Sequence, residues 1–435
     1  METPDSTHDP GLRSWVTSAQ DDGADFPIQN LPLGIFSRRG EAPRGGVAIG
    51  DHILDLRAAL EAGHLRGEAA TVAAGPTLNP LMAMGRAASA ALRAEVSALL
   101  RESSAAAAEG ERLLVPMAGA VMQLPAAVGN FTDFMVSYDH CHRLGVKRNP
   151  AAPLPPAFWH LPVAYHSRAS TVRVSGEPVR RPNGQWLRED GTVRFGPSKA
   201  LDYELEMAIW IAGENATGTP VPMSAAPGRI FGYGLLNDWS ARDMQRWEMP
   251  PLGPFLAKSL STTVSPWIVT AEALIPFAVP ARARTGEQPA VLPHLDSPGN
   301  REGGGLSVAM EVALLTPRMR EAGAAPQRIT ATDFATMCWT PAQMVTHHAS
   351  NGCSLLPGDL LGSGTCSGPA DGAEACIAEL LLRGPIALPG GESRRFLEDG
   401  DEVIFTARAR APGAVPIGFG ECRAVVQPAP AWPSA

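Results

Sequence analysis

The run Leu201-Asp202-Tyr203-Glu204-Leu205-Glu206-Met207-Ala208-Ile209-Trp210 decides how the chain is read. Polar and apolar residues alternate through its first half before it turns wholly apolar, and a period of two is that of a β-strand buried on one face. Asp202, Glu204 and Glu206 then share one face, and Tyr203, Leu205 and Met207 the other. Along a strand the Cβ atoms of Glu204 and Glu206 lie about 6–7 Å apart. Two carboxylates so placed repel unless a cation joins them, and hard divalent ions such as Ca²⁺ and Mg²⁺ prefer oxygen ligands. An isolated pair of this kind is more often a solvated strand face, so its neighbours carry the decision.

At 435 residues the chain exceeds what one compact core usually holds, and two domains are expected. Hydrophobic residues make up 45%, which supports a sizeable core, and charged residues 18%; neither suggests disorder. The 44 Gly and 41 Pro, spread without a period, favour turns and short strands over long helices. A formal net charge of −8 without a basic block argues against nucleic acid and anionic membranes and leaves a small-molecule substrate. No apolar stretch reaches the ~18 residues of a membrane helix. The start, Met1-Glu2-Thr3-Pro4-Asp5, is acidic where a signal peptide is basic, so a cytoplasmic protein is expected. Cys141, Cys338, Cys353, Cys366, Cys376 and Cys422 show neither a C-x-x-C pair nor zinc-like spacing and read as reduced thiols.

Taken in order, residues 1–25 are polar and predict a loose tail. Short apolar runs over residues 25–36 and 45–56, split by Gly and Pro, predict a small β-unit. Asn79-Pro80 predicts a helix cap with proline in the first turn. Leu81, Met84, Ala88, Leu92, Val96 and Leu99 then predict one amphipathic helix, which fades over residues 103–110. A boundary follows near residue 120, giving domains 1–120 and 121–435.

The second domain carries the candidate chemistry. Asp133 offers a third oxygen ligand, and His140, seven residues on, a base that titrates near neutrality. The apolar run Arg229–Leu236 ends at Asn237-Asp238, and a carboxylate at the end of a buried strand completes a four-carboxylate set. Arg242, Gln245 and Lys258 follow within about twenty residues as oxyanion donors; by default such groups are surface residues.

The segments Asn237–Gln245, Pro251–Ser259 and Thr262–Trp267 resemble the signature of the fumarylacetoacetase family. So do Phe131-Thr132-Asp133-Phe134, Tyr165–Ser170, Thr346-His347-His348, Asn351-Gly352-Cys353, Pro357–Leu361 and Ile417–Gly420, and the resemblance runs nearly end to end. Only the first twenty-odd residues and residues 298–305 are peculiar to this chain. The resemblance implies a mainly β chain with minor α, in which a small SH3-like N-terminal β-domain is joined to a larger catalytic β-roll and the whole forms a homodimer. It implies an active-site Ca²⁺ held by Asp133, Glu204, Glu206 and Asp238, and a nearby Mg²⁺ at Asp238, Thr262 and the carbonyl of Lys258. All-oxygen sites admit Mn²⁺ as well. It further implies that His140 is the general base, oriented by Glu379, and that Arg242, Gln245 and Lys258 stabilise the oxyanion. The substrate-binding set falls on Met135, Arg148, Tyr165, Gln245, Met249 and Thr365.

The implied reaction is hydrolysis of the carbon–carbon bond of fumarylacetoacetate to fumarate and acetoacetate, a step of aromatic amino-acid breakdown. Methionine replaces the family's tyrosine at Met135 and Met249, while Tyr165 is kept. This change leads to a second reading, a related enzyme acting on a less polar acylpyruvate or β-diketone, in a biosynthetic route. The arginine that the family uses for the substrate carboxylate has its counterpart in Arg148 if one residue is deleted nearby, and in Asn149 otherwise. A third reading, a non-catalytic dimer holding structural Ca²⁺, requires none of His140, Glu379, Gln245 and Lys258.

Overall fold

The computed structural model describes residues 3–433; Met1 and Glu2, part of the expected tail, lie outside the described residues. The chain is mainly β with minor α. Its largest sheet has thirteen strands. The path runs from Leu114–Pro116 through His52–Asp55, Arg44–Ile49 and Leu33–Ser37 to Trp267–Thr270. It continues through Ile230–Asp238, Leu205–Ile211, Leu360–Gly362 and Phe131–Met135 to Val163–His166. A five-stranded sheet, built around Val308–Leu315, Glu402–Ala409 and Ile417–Gln427, packs against it. Among the described residues no helix is long and apolar enough to cross a membrane.

The 201–210 run departs from the half-exposed strand that its alternation predicts. Every residue from Leu201 to Ile211 is buried. Leu205–Ile211 is a central strand, paired antiparallel with Ile230–Asp238 on one edge and Leu360–Gly362 on the other. The period of two persists, and both faces find cover. Tyr203, Leu205, Met207 and Ile209 enter a core with Val312 and Phe405 of the five-stranded sheet, where the Tyr203 and Phe405 rings meet edge to face at 5.7 Å. On the other face Ala208 and Trp210 join a core with Leu33, Val47 and Leu92. The polar-to-apolar switch therefore marks where that face passes from an acidic cavity to the core beneath the N-terminal strands and helices. Residues Leu201–Asp202 belong to a separate short ladder with Ser240–Ala241.

Two further expectations are corrected. The single helix after residue 79 is two helices, Asn79–Met84 and Arg86–Leu100. Gly85 separates them at φ 79°, ψ −178°, a backbone region essentially restricted to glycine. Asn79 is not the cap: its amide donates to the carbonyls of Ala127 and Pro357, which ties the helix to the larger sheet. Leu81, Leu92, Val96 and Leu99 are buried as their stripe requires, whereas Met84 at the break is exposed. Gly85→Ala is expected to lower stability by about 1–3 kcal/mol, read as a shift of the denaturant midpoint at constant m-value.

The described part of the N-terminal tail is docked rather than loose. His8 bonds the carbonyl of Glu272 at 2.9 Å. The buried guanidinium of Arg93 donates to Thr7 Oγ1 at 2.9 Å and to the carbonyls of Asn30 and Gln29 at 2.5 Å. A buried cation needs its donors satisfied, here by neutral acceptors, and the tail supplies one of them.

Candidate active site

Three strands bring four acids to one point. Asp133 lies in Phe131–Met135, Glu206 in Leu205–Ile211 and Asp238 at the end of Ile230–Asp238, with Glu204 just ahead of the second of these. The register sets Asp133 beside Gly362 and Glu206 opposite Leu236. One carboxylate oxygen from each of the four acids lies within 4.8 Å of the others, and all four residues are buried. A Cβ at Gly362 would fall 2.8 Å from Glu206 Oε2 and 2.9 Å from Asp133 Oδ1, so a side chain there would fill the cage.

Lys258 reaches into the cluster with its side chain. Nζ pairs with Glu204 and, at 2.5 Å, with Asp238 Oδ2, and it donates to Ser240 Oγ at 2.8 Å. Arg242 closes the other side, with Nη2 2.7 Å from Glu204 Oε1 and Nε 2.8 Å from Asp202 Oδ2. Thr262 Oγ1 donates to Asp238 Oδ1 at 3.0 Å and Tyr165 to Asp238 Oδ2 at 3.1 Å. Asp202, although in the same acidic run, turns away to accept the backbone N–H groups of Ile377 and Ala378.

Five buried carboxylates thus face two buried cations. Against the effect of burial, Lys258 and Arg242 pull Glu204 down to about 2. Asp133 and Glu206 go the other way: burial first, then the negative charge of neighbouring acids, raises both well above the carboxylate range. Asp133 Oδ1 and Glu206 Oε1 are buried with no hydrogen-bond donor. Orphaned, mutually repelling oxygens on rigid strands, with no nitrogen or sulfur donor among them, fit a hard divalent cation.

Beside the cage lies a second constellation. The helix Tyr138–Arg148 is capped by Ser137, whose Oγ accepts from the His140 N–H at 3.1 Å and donates to the Ser367 carbonyl at 2.7 Å. His140 Nδ1 meets Glu379 Oε2 at 2.7 Å. The same oxygen accepts from Ser367 Oγ at 2.6 Å and Cys376 Sγ at 3.2 Å, while Arg143 Nη1 lies 3.4 Å from Oε1. Burial would raise Glu379, yet the charge and bond of His140 and the bonds from Ser367 and Cys376 hold it below its ordinary value. Its carboxylate is therefore ionised and accepts from Nδ1, which makes Nε2 the ring nitrogen available as a base.

Cage and dyad open on one cavity of about 360 Å³. Its lining includes Asp133, Glu204, Glu206, Lys258, Arg242, Gln245 and His140, and also Met135, Arg148, Tyr165, Met249 and Thr365. Arg148 ends its helix and faces this space; Asn149, the C-cap, is not among the lining residues. Ser367, Cys376, Arg143 and Ser240 escape the sequence reading. No local pattern marks them, because their partners are brought by other segments.

Comparison with known proteins bears on the whole chain. The family model described as fumarylacetoacetate (FAA) hydrolase C-terminal matches residues 131–427, and that described as fumarylacetoacetase N-terminal matches residues 29–125. The chain belongs to the fumarylacetoacetase family. The fumarylacetoacetase of Bos taurus is 45% identical over 429 residues, covering 96% of this chain and 99% of the relative. That of Homo sapiens is 44% identical with the same coverage, and that of Oryza sativa subsp. japonica 43% identical over 434 residues, covering 96% and 98%. Cage, dyad and cavity lie within the C-terminal match.

Proposed function

We propose that this chain hydrolyses the carbon–carbon bond of fumarylacetoacetate, giving fumarate and acetoacetate. The observation that carries the reading is the union, in one cavity, of a four-carboxylate cage and an imidazole backed by a buried carboxylate, in a chain similar over nearly its whole length to proteins named fumarylacetoacetase. The cage would be held by Ca²⁺ or Mg²⁺, and Mn²⁺ meets the same oxygen chemistry. A bound divalent ion would supply Lewis-acid polarisation of the diketone and neutralise charge there.

The protein's own groups do the rest. His140 Nε2 takes a proton from water while Nδ1–H stays bonded to Glu379, which stabilises the imidazolium that forms. The resulting hydroxide adds to the carbonyl on the fumaryl side. Gln245 accepts from Arg242 Nη1 at 3.1 Å, which orients its amide so that the NH₂ is left to donate to the tetrahedral oxyanion; one such donor is worth ~3–4 kcal/mol. Collapse breaks the carbon–carbon bond, the electron pair leaves as the enolate of acetoacetate, and the imidazolium returns the proton to carbon. Arg148, also in the lining, would receive a carboxylate of the substrate. Loss of fumarylacetoacetate absorbance, measured beside a panel of diketo acids with and without divalent metal, tests the reading; no turnover of fumarylacetoacetate under any metal condition refutes it.

Met135 and Met249 in the lining favour a second reading, a less polar diketone. Methionine donates no hydrogen bond, and a phenol-to-carboxylate bond is worth about 1.5–3 kcal/mol. If the substrate has drifted, Met135→Tyr with Met249→Tyr raises kcat/KM on fumarylacetoacetate by about one to two orders of magnitude per restored bond. Single variants reveal steric rejection as lost stability. A parent kcat/KM of about 10⁶ M⁻¹s⁻¹ on fumarylacetoacetate removes this second reading. A homodimer completes the proposal, supported by apolar side chains beside the cavity, Leu252 at 97% and Phe255 at 71% exposure. A monomer by light scattering at assay concentration counts against it.

A further inference from the structure

Behind the cavity, three side chains of different donor type meet. One ligand atom each from His140, Cys376 and Glu379 lies within 4.8 Å of the others, and all three residues are buried. Glu379 Oε2 is the hub, 2.7 Å from His140 Nδ1 and 3.2 Å from Cys376 Sγ. The other carboxylate oxygen faces Arg143 at 3.4 Å, so Oε2 can change partners while Oε1 keeps its own.

We propose that His140 Nδ1, Cys376 Sγ and Glu379 Oε2 form a second metal site, selective for soft divalent ions of the zinc class, whose occupation switches the enzyme off. Imidazole nitrogen, thiolate sulfur and carboxylate oxygen are the donor set of such ions, whereas Ca²⁺ and Mg²⁺ take oxygen alone. Tetrahedral ligands at zinc bond lengths stand about 3.3–3.7 Å apart, so the two separations from Glu379 Oε2, 2.7 and 3.2 Å, open by about half an ångström. Charge favours the ion as well. Glu379 brings one negative charge and the Cys376 thiolate another, so a dication cancels the charge of its own ligands.

The proton balance explains the inhibition. Binding forms three metal–ligand bonds, releases the Cys376 thiol proton to solvent and moves the Nδ1 proton of His140 to Nε2, so the hydrogen bonds that both groups gave Glu379 Oε2 are exchanged for the metal. With Nε2 protonated and Nδ1 on the metal, the imidazole can no longer take a proton from water. The two sites sort ions by softness within one cavity wall: oxygen cage in front, nitrogen–sulfur–oxygen triad behind. The segment that carries Cys376 is joined to the cage by a backbone bridge between Glu204 and Cys376, so both sites share one rigid frame.

The site stands on geometry, while the inhibition rests on the reading of His140 as base; the experiment separates them. Enzyme saturated with millimolar Mg²⁺ is titrated with Cd²⁺ and, separately, with Zn²⁺. Cd²⁺ is expected to give a thiolate-to-metal charge-transfer band, lost in Cys376→Ser and weakened in His140→Ala. Zn²⁺ is expected to inhibit the parent at concentrations at least about tenfold below those needed for Cys376→Ser, each compared with its own uninhibited rate, since even an outer partner of a metal ligand carries 10–100-fold in affinity. A band and an inhibition curve unchanged in both Cys376→Ser and Cys376→Ala overturn the proposal and place the ion on the carboxylates or another thiol. A band that depends on Cys376 without inhibition keeps the site and refutes His140 as the base.

Discussion

Replacing His140 by alanine lowers kcat by ~10²–10⁴-fold, the usual weight of a general base, while metal and substrate analogues bind as before. The imidazole lines the cavity but is not among the four carboxylates of the cage, so its loss removes proton transfer and leaves the oxygen ligands in place. Glu379→Gln is milder. His140, Ser367 and Cys376 all donate to one oxygen of residue 379, and an amide oxygen can receive them; what is lost is the charge that stabilises the imidazolium. Single-turnover rates across pH, with analogue binding by calorimetry, check both statements. A substantial residual rate of His140→Ala above about pH 7 means that another group is the base.

Asp133→Ala and Glu204→Ala each abolish metal binding and turnover together, yet they part in the metal-free protein. Asp133 Oδ1 has no donor and its carboxyl is raised by burial and by the charge of Asp238, so its removal relieves repulsion and leaves the metal-free protein as stable or more so. Glu204 holds both Lys258 and Arg242. Its removal weakens two buried pairs, at a cost of about 3–5 kcal/mol. Calorimetric metal titration and thermal melts under chelator distinguish the two, and a variant that binds metal as tightly as the parent removes that residue from the cage.

Metal removal has its own pH signature. Asp133 and Glu206 have folded values raised above their unfolded ones. They take up protons on folding, so stability of the metal-free protein falls as pH rises from about 4 through the folded values, and the loss is complete above them. Chelator therefore lowers Tm more at about pH 8 than at about pH 5.

Local chemistry made part of this protein legible. Alternation over 201–207 announced a strand, and the period of two holds in the structure because successive side chains must point to opposite faces. The apolar stripe from Leu81 to Leu99 announced helix, since residues three and four apart share a face. Extended motifs carried the family, whose long segments leave little to chance. Other features carried no local signal. The break at Gly85 depends on one backbone torsion, and the helix before it is tied to Ala127 and Pro357 through Asn79. The N-terminal segment looks polar enough to be loose, yet the buried guanidinium of Arg93 recruits it.

The burial of the strand's second face has no local signal for the same reason: alternation tells which side chains share a face, not whether another sheet or helix will cover it. Only the assembled sheets decide that Glu204 and Glu206 are buried beside Asp133 and Asp238, while Asp202 turns to a helix start. Only they place Cys376, which shows no zinc-like spacing, on the carboxylate that holds His140. Such meetings join segments far apart in the chain. Spacing along the sequence encodes faces and caps, whereas desolvation and charge balance, which set the chemistry of a site, exist only once distant strands have closed around it.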